Sequence, residues 1–208
     1  MRERFLLILG AIAAFATRAS AAALSLEQKL EILSRCGLRL QPPFTVDDLL
    51  RSWDREHFER AGFDSVLTSL AGQEERPPWR NHCINAWHFD SECIEGNGSY
   101  LRIAERLKEM AQGSLPIDKI RDSVDVDGGT AWLAWEYRGQ DFRINCKINE
   151  DWVDPGVFAH FVNVLAKSDP SKVYLYYDLH GQDCVIACVT EAQFTQLKEA
   201  GVQFRPLT

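Results

Sequence analysis

Residues 132–149 and 174–191 align at an offset of 42 with six identities in 18 positions. Leu133 matches Leu175, Gly139-Gln140-Asp141 matches Gly181-Gln182-Asp183, Ile144 matches Ile186 and Cys146 matches Cys188. Each copy reads as an apolar-aromatic run, a glycine-containing turn and a second apolar run, which is a β-hairpin pattern. A helical pattern follows each hairpin. After the first, Asp154-Pro155 supplies an N-cap and a proline for the first turn, and Val157, Phe158, Phe161, Val162 and Leu165 make a buried stripe. After the second, Thr190 caps a helix over Glu191–Ala200 with Phe194 and Leu197 inward, and Gly201 ends it. The units span about 130–167 and 172–200. A fainter third unit over 63–112 runs Val66–Leu70, a Gly72-Gln73-Glu74 turn, a strand over His82–Phe89 and a helix over Ser99–Met110. Antiparallel hairpins alternating with helices predict an α+β domain whose helices cover one sheet face. Val202–Leu207 adds an edge strand closed by Pro206.

Ahead of these units, residues 22–62 read as a helical segment. Ser25 caps a helix over Leu24–Cys36 with Leu26, Leu30 and Leu33 on one stripe, and Gly37 stops it. Thr45 caps a second helix reaching Trp53, and a charged helical stretch runs from Asp54 to Gly62. The α+β domain is then expected over 63–208. Residues 1–21 have the layout of an export signal: Arg2 and Arg4, an apolar run from Phe5 to Ala16, then Ala19-Ser20-Ala21 as a small-x-small cleavage site. The run is short for a bilayer span, and no later stretch reaches 18 apolar residues, so no membrane span is expected in the mature chain. The expected location is outside the cytoplasm, the periplasm in a Gram-negative source and the medium otherwise. Three arginines and one glutamate leave with the signal, so a net charge of −7 becomes about −9. Such acidity argues against a nucleic-acid partner, whose binding domains concentrate Lys and Arg.

Export gives the six cysteines, at 36, 83, 93, 146, 184 and 188, an oxidising compartment in which up to three disulfides could form. Cys184 and Cys188 do not pair with one another, because four residues of strand separate them by about 13 Å. A Cys83–Cys93 crosslink stays open. His82, Cys83, His88, Asp90 and Cys93 are the densest group of metal-capable side chains. A strand through 82–89 would hold His82 and His88 about 20 Å apart, too far for one zinc ion.

Catalytic signatures are lacking. The chain has no G-x-S-x-G, P-loop, H-E-x-x-H or G-x-G-x-x-G, and no thiol stands at a helix opening beside positive charge. Of three acidic groups, Asp118/Asp122/Asp125/Asp127 lacks the later oxygens of a calcium loop, and Asp127-Gly128-Gly129 reads as a hairpin turn. The others are Glu150/Asp151/Asp154 and Asp90/Glu92/Glu95. Trp132, Trp135, Tyr137, Tyr174, Tyr176 and Tyr177 could form a sugar platform, but they lie in strands, where packing claims them first. Alternation sets Tyr174 and Tyr176 on one face and Tyr177 on the other, with one set expected to be exposed.

In size, acidity, export signal and lack of catalytic motifs, the chain resembles exported bacterial immunity proteins, small acidic inhibitors of toxins; no individual residue carries the likeness. The resemblance implies a non-enzymatic protein that needs no cofactor or metal and occludes the active site of a basic protein, a toxin or an envelope enzyme. Exposed carboxylates beside aromatics suit such a contact. The candidate contact residues are Gly139, Gln140, Asp141, Glu150, Asp151, Trp152, Gly181, Gln182 and Asp183. Two other classes remain: an envelope hydrolase of glycan or peptide, and a structural or solute-binding envelope module.

Overall fold

The computed structural model describes residues 24–60 and 62–208, so the export signal read over 1–21 lies outside the described residues. Helix α1 (Leu26–Arg35) starts at a reciprocal cap. Ser25 Oγ accepts the Gln28 amide at 3.2 Å, and the Gln28 side chain accepts the Ser25 amide at 2.9 Å. Helix α2 (Val46–Leu49) does not reach Trp53 as the sequence predicts. The Arg51 and Ser52 amides bond only three residues back, to Asp48 and Leu49, which tightens the chain out of the α-helix. Asp54 then opens α3 (Arg55–Arg60) by accepting the His57 amide at 2.7 Å.

The expected third hairpin fails in its first half. Val66–Leu70 belongs to helix α4 (Asp64–Ala71), where Val66, Leu67 and Leu70 are fully buried on one helical stripe. Residues 82–85 form a turn rather than a strand, and β1 covers only Ala86–Asp90. The helix after it, α5 (Ser99–Met110), has the predicted bounds. Then come β2 (Ile117–Asp125), β3 (Thr130–Tyr137), β4 (Gln140–Cys146), α6 (Gly156–Ser168), β5 (Lys172–Asp178), β6 (Asp183–Thr190), α7 (Glu191–Glu199) and β7 (Arg205–Pro206).

The strands form two antiparallel sheets, ordered β1-β6-β5-β7 and β2-β3-β4, so the chain is an α+β fold. The four-stranded sheet is covered on both faces, where the sequence suggested helices on one. One face packs against α1–α4 and α7 in a core that includes Leu33, Phe58, Leu67, Leu175, Val185 and Leu197. The other packs against α5, α6 and the three-stranded sheet, in a core that includes Tyr100, Leu107, Trp135, Phe161, Tyr174 and Ile186. Tyr174 and Tyr177 do sit on opposite faces, but neither face is open. The Tyr174 hydroxyl donates to the Leu107 carbonyl at 2.7 Å, and the Tyr177 hydroxyl donates to Asp64.

The two repeated hairpins keep their order and lose their register. Leu133 pairs with Ile144, whereas Leu175 pairs with Ala187, one residue beyond the equivalent position. A one-residue slip turns a strand over. Ile144 and Ile186 therefore face the same core, while Leu133 and Leu175 face different ones. The turns differ accordingly. Arg138 and Gly139, with φ of 53° and 74°, close the first hairpin in two residues, and the second uses the longer loop 179–182.

Candidate functional site

Six of the nine predicted contact residues come together around the segment that follows β1. The Gln182 carbonyl accepts the Ser91 amide at 3.1 Å and the Ser91 hydroxyl at 2.6 Å. Its side-chain amide donates to Asp90 Oδ1 at 3.2 Å, and Asp183 pairs with Asp90 in the sheet. On the other side of the same segment, the Val153 amide donates to the Ser91 carbonyl and the Ile94 amide to the Asp151 carbonyl, both at 2.8 Å. Glu92 and Trp152 form an antiparallel bridge between these two bonds. Main-chain bonds thus fix Gly181–Asp183 and Glu150–Trp152 on opposite flanks of 90–95. Two of the acidic groups, Asp90/Glu92/Glu95 and Glu150/Asp151, merge there. Trp152 is 36% exposed among them.

The Cys93 thiol reports the field at this place. Burial pushes it up first, Asp90 raises it further, Arg102 opposes, and Glu95 and Asp151 add to the rise, to about 11. Carboxylates from two separate stretches of chain therefore act on one half-buried group. The remaining predicted residues lie elsewhere. Gly139 belongs to the turn, but Gln140 and Asp141 are strand residues, and Asp141 pairs with Arg121 at 3.4 Å. From Gln140, β4 carries the chain about 20 Å before the loop that holds Glu150 begins. The nine residues form two places, not one.

Asp118, Asp122, Asp125 and Asp154 have structural partners. Asp122 reaches from β2 to the start of α5, where its carboxylate accepts the Gly98 amide at 2.8 and 3.0 Å and the Leu101 amide at 3.1 Å. Asp118 pairs with Lys108 at 2.7 Å, and Asp125 accepts the Gly128 amide at 2.8 Å inside the turn between β2 and β3. Asp154 accepts the Lys147 amide at 2.8 Å and the Gly156 amide at 2.9 Å, the second at the start of α6.

His82 and His88 do not share a strand, since His82 precedes β1. His82 Nδ1 lies 2.8 Å from the Ser69 carbonyl, and its ring meets Phe44 edge-on. Cys83 and Cys93 pack against opposite cores, so the crosslink considered for them is not made. All six cysteines are free thiols, five of them buried. Among the described residues no group of three or more His, Cys, Asp or Glu side chains is placed to hold a metal ion.

A concave site escaped the sequence reading. A cleft of about 260 Å³ is lined by residues from the segment before α3, from α3, α4 and β1, and from the β5–β6 turn and the start of β6, including Trp53, His57, Asp64, Ser65, His88 and Asp183. Ser65 Oγ stands 2.8 Å from His57 Nε2. The His57 ring stacks on Trp53 at 4.3 Å and 12°, and His88 Nε2 is 3.6 Å from Asp183. Asp183 thus belongs to both places. The only local trace of the pair is a histidine eight residues before a serine, across a glycine-containing loop, and that pattern has no motif status. No protein-family profile, curated protein or solved structure matches the chain.

Proposed function

We propose that the chain is an exported, immunity-type binding protein that blocks a basic protein partner by laying its acidic-aromatic surface over the partner's active site. One observation carries the reading. Three stretches far apart in sequence, 90–95, 150–152 and 182–183, are tied by main-chain and side-chain hydrogen bonds into one acidic surface that includes the partly exposed Trp152. Backbone ties make that surface rigid, so little ordering cost falls on association. Its charge would speed encounter with a basic partner and weaken with salt, while the tryptophan supplies an apolar anchor. An inhibitor needs no more than this. Gly139, Gln140 and Asp141 fall outside the proposed contact.

The test uses the full-length protein expressed in its own host and cross-linked in the envelope fraction at low salt. A specific basic partner should be captured by the wild type, with its activity blocked in the complex. Capture should fail for Glu92→Lys combined with Asp151→Lys, weaken about tenfold or more for Trp152→Ala, and survive Asp141→Lys. Equal capture by the charge-reversed variant, or no partner whose activity is blocked, would refute the reading. N-terminal sequencing of the mature protein tests the export proposal, with Ala22 as the expected first residue.

A further inference from the structure

We infer that the cleft beside α4 is a nucleophilic site in which Ser65, activated by His57, hydrolyses small neutral or cationic esters. This goes beyond the binding reading and shares only Asp183 with it. A serine in the first turn of a helix ordinarily turns its hydroxyl to nearby backbone. Here the N-cap position is Phe63, no side chain caps the helix, and Ser65 instead aims at an imidazole eight residues earlier. The 2.8 Å separation is that of a nucleophile and its general base. The imidazole is held on two sides, stacked on Trp53 and edge-on to Phe58 at 6.2 Å and 80°. Ser65 is half-buried and lines the cleft.

The amides of Asp64, Ser65 and Val66 occupy the first turn of α4, where no helical carbonyl can accept them. They supply donors for an oxyanion forming beside Ser65 Oγ. In the first step Oγ bonds to the acyl carbon while its proton passes to His57 Nε2. The bond to the leaving alcohol then breaks, and the alkoxide takes that proton. Water attacks the acyl-serine, giving a proton to His57, and the acid departs as Ser65 regains its hydrogen. Ester and water become acid and alcohol, and no further reactant is needed. A cleft of about 260 Å³ has room for a short acyl chain, and the carboxylates of Asp64 and Asp183 disfavour an anionic substrate.

The experiment treats the full-length protein with diethyl p-nitrophenyl phosphate and follows intact mass, peptide mass and p-nitrophenol release. A diethylphosphoryl adduct on the peptide containing Ser65 is expected, along with turnover of p-nitrophenyl acetate. His57→Gln should slow both by about a hundredfold while leaving the circular dichroism spectrum unchanged, and Ser65→Ala should abolish both. An unlabelled wild type overturns the proposal without reference to any variant. So does an adduct mapped to another residue, or turnover that persists in Ser65→Ala.

Discussion

Arg106 projects from α5 into the turn before β1 and is only 9% exposed. Its guanidinium donates to the carbonyls of Cys83 and Ile84, each at 3.1 Å, and of Ala86 at 2.6 Å, and to Glu109 at 2.5 Å. A planar fork with five N–H groups can serve three carbonyls and a carboxylate together, which an ammonium on a flexible stem cannot. Arg106→Met should destabilise the fold by about 3 kcal/mol, because buried carbonyls lose their donors. The change should appear as a lower urea midpoint at constant slope, with Arg106→Lys recovering only part. Nothing local marks this arginine in the sequence. It occupies an ordinary charged position in a helix whose partner turn lies 20 to 23 residues earlier.

Among the elements, those governed by short-range chemistry were legible. The Ser25 and Thr190 caps, the helix over Ser99–Met110 and both C-terminal hairpins follow from neighbours within a few residues. Val66–Leu70 misled because a five-residue segment with three apolar positions, Val66, Leu67 and Leu70, fits a short strand or a helix turn equally well. The register slip between hairpins was hidden for a different reason. Turn length sets register, and Gly139 and Gly181 look alike in sequence while closing loops of different length. The Arg138-Gly139 turn offers a sharp check, since both residues hold positive φ. Arg138→Asn should raise stability by a few tenths of a kcal/mol, and Gly139→Val should lower it by about 1–2 kcal/mol. Both are read from thermal melts. At the start of α5, Asp122→Ala should cost about 1–2 kcal/mol, the usual range for a lost cap.

At the scale of the whole molecule, the candidate surface was only half legible. Its residues were visible as acidic clusters and turns, but their union depends on contacts such as Gln182 with Asp90, 92 residues apart. No local pattern encodes such a pairing. The same long-range packing buries Cys184 and Cys188 and pushes both thiols up to about 12, against an ordinary value of 9.0. The folded state therefore holds these protons more tightly than the unfolded chain does. Their contribution is complete below pH 9 and is lost as the pH climbs toward 12. Each thiol should erode stability by about 1.4 kcal/mol per pH unit in that window. Urea midpoints should be flat from pH 7 to 8 and fall above 9, and a Cys184→Ala/Cys188→Ala variant should fall less steeply.

Strand β6 is paired on both edges, with β1 and β5, and its residues contribute to both cores. Its amide protons have no local route to solvent. In native-state hydrogen exchange, the amides of Val185–Val189 should be released only at the rate of complete opening. They should also lose protection together whether denaturant first loosens the N-terminal helices or the three-stranded sheet. The hairpin that carries Gly181–Asp183 would then be the last part of the molecule to let go, so that this flank of the acidic surface outlasts the Glu150–Trp152 flank in any partial opening that begins in the three-stranded sheet.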